Sequence, residues 1–173
     1  MSRFGFITAL CVASTLPAAT FQQLSVAQMA QSATAIVRAR VIGSSAGFTG
    51  TTIYTHYRLQ VSETWKGSTP NEVMLPGGVA GGYRQTFPGV PTLQTGSEYV
   101  LYLWTSPSTG ITHIVGFGQG IFNITTQSDG TLEASRPRIG ETMLDAKGNL
   151  VRDQAIRMPL AQLKTQVAGG ANQ

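Results

Sequence analysis

The stretch GSEYVLYLWTS, from Gly96 to Ser106, decides the fold class, because it alternates with the period of a β-strand and is apolar on both faces. The two faces carry Tyr99, Leu101 and Leu103 on one side and Val100, Tyr102 and Trp104 on the other. A strand with two apolar faces has to be covered on both sides. The stretch therefore predicts the central strand of a mainly β domain.

Two long alternating segments precede this strand: TAIVRARVIGSS (34–45) and TIYTHYRLQVSETWKG (52–67). Only a short Gly- and Thr-containing turn separates them, so we expect them to pair as an antiparallel hairpin. EVMLPGG predicts a third strand, and ITHIVGFGQGIFNITT (111–126), with a glycine at every second position in its middle, predicts a fifth. Period two on the three strongest strands predicts these core residues: Val37, Val41, Leu59, Val61, Leu101 and Leu103.

Helices are predicted only at the two ends of this strand array. LSVAQMAQS (24–32) has a short helical pattern with Ser25 as a possible cap. MPLAQLKTQVAGG (158–170) has apolar residues on one helical face, and Gly169 and Gly170 are expected to end that helix. MLDAKGNLVRD, between them, predicts a C-terminal hairpin around its Lys-Gly-Asn turn.

Length and composition favour one exported domain. The chain has 173 residues, 42% of them hydrophobic and only 12% charged, which suits a single β-rich core. Arg3, the apolar run 4–16 and the small residues of 17–19 form the three parts of a signal peptide, predicted over 1–19. The single domain then covers 20–173. The residues before Cys11 do not form a lipoprotein box, so no membrane anchor is expected after cleavage.

The predicted mature chain has no cysteine, because Cys11 lies in the signal segment. Export without disulfides favours a bacterial periplasmic or secreted protein. Once Arg3 is removed, eleven Lys and Arg face eight acidic residues, a net charge of +3 with the cations scattered along the chain. Nucleic acid binding is disfavoured, since no basic stripe is formed.

No catalytic or metal-binding motif stands out. His56 and His113 are isolated strand positions without a second ligand at metal-site spacing, and neither a nucleophile elbow nor a mature thiol is present. Glu63 and Glu98 could converge in the fold, but spacing alone does not nominate them as an acid pair. The sequence therefore predicts no catalytic residue, no metal and no cofactor.

The order of elements resembles the netrin-like domain of the tissue inhibitors of metalloproteinases. The resemblance covers roughly 24–124: a short helix, ATAIVRARVIG, YRLQVSETWKG, EVML, a Gly-rich loop and GSEYVLYLW. It implies a five-stranded OB-like antiparallel barrel, here with a short N-terminal helix, a C-terminal hairpin and a C-terminal helix. The layout resembles that of uncharacterised exported bacterial proteins more closely. That inhibitor family places an N-terminal cysteine on the target's zinc, and this mature chain has no cysteine, so no inhibitory residue carries over.

The loop PGGVAGGYRQTFPGVP, from Pro76 to Pro91, contains the candidate binding residues Tyr83, Arg84, Gln85 and Phe87. It lacks the Lys and the following helix of a phosphate-binding loop. Aromatic residues and arginine are typical of contact surfaces, which predicts a binding lip. Under the alternative, which we favour, Tyr83 and Phe87 fold back over the end of the barrel and only Arg84 stays exposed at the rim.

The predicted function is that of an exported, non-enzymatic binding or interaction module. Its expected partner is another exported protein, with a protease as one candidate. Two alternatives stay open: a protease inhibitor or protease-associated accessory protein, and a polysaccharide or oligonucleotide binder.

Overall fold

The structure is a computed structural model that describes residues 20–171, so the signal peptide predicted over 1–19 lies outside the described residues. It is mainly β, as predicted, with two helices. The strands are β1 (Thr20–Gln22), β2 (Ala35–Thr49), β3 (Thr52–Gly67), β4 (Glu72–Pro76), β5 (Gly78–Ala80), β6 (Tyr83–Gln85), β7 (Glu98–Thr105), β8 (Thr112–Ile114), β9 (Ile121–Thr126), β10 (Leu132–Arg136), β11 (Thr142–Leu144), β12 (Leu150–Val151) and β13 (Ile156–Pro159). The helices are α1 (Val26–Ser32) and α2 (Leu160–Ala171).

The main sheet has eight strands in the order β13-β10-β9-β7-β2-β3-β4, with β8 as an additional partner of β7. β7 lies in the middle: β2 pairs with one of its edges, while β9 and β8 share the other. The central position predicted for GSEYVLYLWTS is confirmed, because the side chains from Tyr99 to Leu103 are buried on both faces.

The predicted β2–β3 hairpin is confirmed, and its strands extend beyond the segment that pairs with β7. β7 pairs with β2 only from Ala35 to Arg40, whereas β3 accompanies β2 as far as Thr49. The β2–β3 register shifts three times, the last time between Val41 and Gly43. Such bulges bend and twist a strand pair. The distal part of the hairpin therefore leaves β7, and there β3 pairs instead with β4, from Tyr54 to Arg58.

One face of the sheet forms the predicted core. Val37, Val41, Leu59, Leu101 and Leu103 are buried in one cluster, as predicted, and Val61 is half-buried against the same cluster. Leu93, from the segment before β7, closes this cluster together with the half-buried Val90.

The opposite face is covered by the two helices. Met29 of α1 and Leu163 of α2 pack on the sheet residues Ile36, Tyr102 and Phe122, all fully buried. Ser25 caps α1, as the sequence suggested, through a capping box in which its Oγ accepts from the backbone N–H of Gln28. α2 continues to Ala171, so the prediction that Gly169 and Gly170 end this helix is wrong.

The predicted continuous strand over 111–126 is also wrong. The chain forms β8, leaves the sheet in a 3₁₀ turn from Phe117 to Gly120, and re-enters it as β9. The buried Gln119 explains the excursion: its Oε1 accepts from Leu24 N at 2.8 Å and its Nε2 donates to Gln22 O at 2.9 Å. These bonds tie the turn to the end of β1 at Gln22 and to Leu24 just after it. The sequence did not predict β1 as a strand.

A closed five-stranded barrel is not confirmed. The strand pairing describes an open eight-stranded sheet, a three-stranded sheet β1-β11-β12 that includes the predicted C-terminal hairpin, and the pair β5-β6. β4 and β8 approach each other where His113 Nδ1 lies 3.1 Å from Met74 O. Between 20 and 171, neither helix is long and apolar enough to cross a membrane.

Candidate binding surface

The loop from Pro76 to Pro91 is partly regular, because its first half forms the β5–β6 hairpin. Ala80 pairs with Tyr83, so only Gly81 and Gly82 make the turn. Their φ angles of 54° and 80° are both left-handed. Two-residue turns with two positive φ angles match the twist of β-hairpins and favour glycine. The sequence GGYRQ therefore presents Tyr83 and Arg84 directly after a tight turn.

Gln85 attaches this hairpin to the tip of β2–β3. Its Oε1 accepts from Ile53 N at 2.6 Å, and its Nε2 donates to Thr51 O at 2.9 Å. Close approach also requires a glycine at 78, since a Cβ there would lie 2.5 Å from Thr55 Oγ1. Gln85, predicted as a binding residue, thus serves as an anchor that positions its neighbours.

Three large side chains remain exposed at this end of the molecule and form what we call the aromatic tip: Phe48, Val79 and Tyr83. Tyr83 is 69% exposed, Val79 51% and Phe48 50%. The rings of Phe48 and Tyr83 lie edge to face with centroids 6.3 Å apart. Phe48 was not predicted as a site residue, although an aromatic residue at a hairpin turn is a signal of exposure. Phe48 and Tyr83 thus form an exposed aromatic contact between two adjoining hairpins, and Val79 lies opposite Arg84 on β5–β6.

Beside the aromatic tip lies a cavity of about 260 Å³, here called the loop cavity, bordered by Arg84, Gln85, Phe87, Tyr57 and Val90 among others. Phe87 is 40% exposed at its edge. Burial raises the pKa of the Tyr57 hydroxyl, and this outweighs the opposing hydrogen bond from the Leu93 backbone. The hydroxyl therefore stays neutral at ordinary pH and can donate a hydrogen bond.

The structure brings Arg84, Gln85 and Phe87 to one cavity and places Tyr83 beside Phe48. The expectation that Tyr83 and Phe87 fold back as a cover is wrong for Tyr83, and Phe87 is only partly enclosed. The physical reason is that Leu93 and Val90 already cover this end of the core.

Glu63 and Glu98 do converge, on the guanidinium of Arg38. Arg38 Nη1 lies 2.9 Å from Glu63 Oε1, and Arg38 Nε lies 2.8 Å from Glu98 Oε1. The second Glu63 oxygen accepts from Lys164 Nζ at 2.6 Å and from Trp65 Nε1 at 3.1 Å. Lys164, Trp65 and Arg38 together lower the pKa of Glu63 to about 2. A carboxylate held ionised in this way is a poor proton donor near neutral pH.

Glu63→Gln tests this ion-pair group through pH. The pKa of Glu63 lies at about 2 in the folded protein and at its ordinary 4.5 when unfolded, so ionisation favours folding. The stabilisation is complete above pH 4.5 and is lost as the pH falls towards 2. We expect the variant to be less stable than wild type at pH 7, by up to about 1 kcal/mol for these partly exposed pairs. Urea denaturation at both pH values should show that this difference vanishes near pH 2; a constant difference would contradict the assignment.

The two histidines do not form a shared site. His56 Nδ1 lies 2.8 Å from Glu72 Oε1, and His113 contacts the Met74 carbonyl on another strand. Across residues 20–171, His, Cys, Asp and Glu side chains do not gather in threes that could hold a metal ion. The candidate surface therefore consists of the aromatic tip and the loop cavity.

Comparison of the chain with protein-family models gives no match, and comparison with curated proteins gives none either.

Proposed function

We propose that this protein is an exported, non-enzymatic binding module that contacts another exported protein through the aromatic tip, Arg84 and Phe87. The observation that carries the proposal is the exposure of Phe48 and Tyr83, ring against ring on two adjoining hairpins, with Val79 also exposed and opposite Arg84 on β5–β6. Aromatic residues and arginine are enriched in the centres of protein interfaces and contribute most of their binding energy.

The anchoring by Gln85 supports a binding role, because a surface held in place before contact loses less conformational entropy on association. The charge at this end also matters. Arg84 is exposed, lies opposite Val79 in the strand register and borders the loop cavity with Phe87, so the proposed partner presents an apolar patch with an acidic rim. Exported proteases are the first partners to test.

We also propose that the strands of the main sheet form an OB-like barrel whose open end lies at the loop cavity. The order β4-β3-β2-β7, with β8 between β7 and the neighbourhood of β4, supports this arrangement. OB-like barrels bind ligands through their loops and an open strand face. The loop cavity and the aromatic tip occupy such a place in the proposed barrel.

The triple variant Tyr83→Ala, Arg84→Ala, Phe87→Ala tests the proposed surface. Tyr83 and Arg84 are exposed and Phe87 is 40% exposed, so we expect the free energy of unfolding to change by no more than about 1 kcal/mol. Immobilised wild-type protein should capture an exported partner, identified by mass spectrometry. The variant should bind that partner at least about tenfold more weakly, which corresponds to about 1.4 kcal/mol.

Leu150→Ala is the matched control, because Leu150 is 76% exposed but lies on the separate β11–β12 hairpin. We expect it to bind the partner like wild type. A folded triple variant that binds as tightly as the control would refute the proposed surface. A triple variant that loses several kcal/mol of stability would show that these side chains are packed rather than presented.

A further inference from the structure

β2 has a free edge beyond its pairing with β7. That pairing ends at Arg40, and the N–H and C=O groups of Val41 then bond to Ser97 and Gly96. Over residues 43–49, β2 pairs only with β3, and this part of the register has no further shift. Between 20 and 171, no other hydrogen bond reaches the backbone of residues 43–49. We call the side of these residues that faces away from β3 the free edge.

The outer side of β3 shows which residues of β2 point outward. Ile53 directs its N–H and its C=O away from β2, to Gln85 Oε1 and to the N–H of Gly77. Two opposite residues of an antiparallel pair direct these groups either both towards each other or both away. Phe48 lies opposite Ile53, so its N–H and C=O point to the free edge. The residues at period two from Phe48 share this orientation: Ala46 and Ser44.

The β5–β6 hairpin covers a face of this strand pair and leaves the free edge open. Ala46, Ile53 and Thr55 share that face, because Ala46 lies opposite Thr55 and Ile53 is two residues away from it. Gly78 lies over all three: a Cβ there would be 2.5 Å from Thr55 Oγ1, 3.1 Å from Ala46 Cβ and 3.3 Å from Ile53 Cγ2. The outward groups of β3 therefore have partners within the protein, and those of β2 do not.

The free edge also lacks the features that commonly keep strand edges from pairing, which are charge, proline and short length. The outer strands β4 and β13 have such features, since they are five and four residues long and end at Pro76 and Pro159. Residues 43–49, GSSAGFT, include neither a proline nor a charged residue. Ser44 and Phe48 are exposed. Another strand can therefore reach the free edge and meets no like charge there.

From these contacts we infer that two copies of this chain pair antiparallel through their free edges and form a two-fold dimer. A row of outward N–H and C=O groups is complementary to a second strand. A two-fold axis near Gly47 repeats the same pairing in both directions, as in the common closed dimers. A Cβ at Gly47 would meet no atom within 4 Å, so this position leaves room for the second backbone.

Charge favours a second copy of this chain as the occupant. Residues 43–49 are uncharged, so self-pairing brings no like charges opposite each other. A net charge of +4 on 173 residues also gives only weak repulsion between copies. The dimer forms through backbone groups, whereas the proposed partner surface consists of side chains, so the two proposals can fail separately.

The first experiment is sedimentation equilibrium of the purified protein between about 1 μM and about 1 mM, combined with amide hydrogen exchange by NMR. We expect a monomer–dimer equilibrium within this range. The N–H groups of Ser44, Ala46 and Phe48 should exchange freely in the monomer and gain protection as the dimer forms. Those of Ser45 and Gly47, which point towards β3, should be protected at both concentrations. A monomer at about 1 mM, or protection that does not depend on concentration, would overturn the inference.

Two substitutions at one position supply the matched variants. Ser44→Pro removes an outward N–H without removing a bond to β3, and it should weaken dimerisation at least about tenfold. Ser44→Ala keeps that N–H and should dimerise like wild type. Equal dimerisation of the two variants would contradict pairing through the free edge, and the exchange pattern of the wild type decides the question even if Ser44→Pro does not fold.

Tyr83→Ala separates edge pairing from association through the aromatic tip. Tyr83 is 69% exposed on β6 and makes no backbone pairing with the free edge, so its removal should leave the dimer intact. Loss of the dimer in Tyr83→Ala but not in Ser44→Pro would show that the copies associate through the tip, and would overturn the inference while leaving the proposed partner surface in place.

Discussion

Leu101→Ala lowers the free energy of unfolding by about 2–5 kcal/mol, the usual range for removing a buried leucine side chain. Leu101 is fully buried in the middle of β7, where it packs in the cluster formed with β2, β3 and β4. The expected loss has two parts: less apolar burial, and a cavity that strands held on both sides cannot collapse to fill. Urea denaturation followed by Trp fluorescence measures it.

Leu150→Ala is the control for that measurement as well, because the same atoms are removed from a side chain that is 76% exposed. Its free energy of unfolding should stay within about 0.5 kcal/mol of wild type. If Leu101→Ala unfolded at the same urea concentration as this control, the assigned facing of β7 would be incorrect.

Asp153→Ala is the second substitution with a large expected effect, a loss of about 3–5 kcal/mol. It removes the carboxylate that faces a guanidinium only 4% exposed, and it also removes the acceptor of the Ile139 N–H. The buried charge of Arg136 is then uncompensated. The loss should show in thermal and urea denaturation at pH 7.

The double variant Arg136→Met, Asp153→Ala separates charge from packing. With both charges gone, much of the stability should return, since replacing a whole buried pair by apolar groups is often close to neutral. Arg157→Ala breaks the exposed pair with Glu133, whose atoms lie 3.5 Å apart, and should change stability by no more than about 1 kcal/mol. A double variant as unstable as Asp153→Ala would contradict this account of the pair.

Strand periodicity predicted the central part of the fold. The alternation around Leu101 and Leu59 identified the buried face because side chains of a strand alternate strictly between its two sides. Ser25 was identified as a cap because hydroxyl side chains at that position satisfy free N–H groups of the first helical turn. Both signals are local, so both can be read without knowing the rest of the fold.

The missed elements depend on distant residues. β1 pairs in parallel with β11, so Thr20 lies opposite Thr142, and three residues offer too short a pattern to detect. Gln119 breaks the predicted fifth strand through bonds to residues almost a hundred positions away. A glycine-rich alternation is equally compatible with a bent strand and with a turn, and only these bonds decide between them.

The candidate surface was partly predictable for the same reason. Tyr83, Arg84 and Phe87 are residue types favoured at contacts, but whether they are buried depends on what else fills the end of the core. Leu93 and Val90 fill it, which leaves Tyr83 exposed. Phe48 could not be identified from the sequence, because it contacts Tyr83 only where the β5–β6 hairpin packs against the tip of β2–β3. Gln85, predicted as a binding residue, instead anchors the hairpin, because its hydrogen-bond partners Ile53 and Thr51 belong to that tip.

The register shifts in the β2–β3 hairpin bear on how this protein can diversify. They divide one strand into a part that builds the core, up to Val41, and a part beyond the pairing with β7 that carries Phe48. Residues that share no partners contribute nearly additively to stability. Mutations at the aromatic tip can therefore accumulate without disturbing Leu101 and its neighbours. Related proteins can therefore keep the same core while the side chains at the tip change, and can acquire new binding partners in this way.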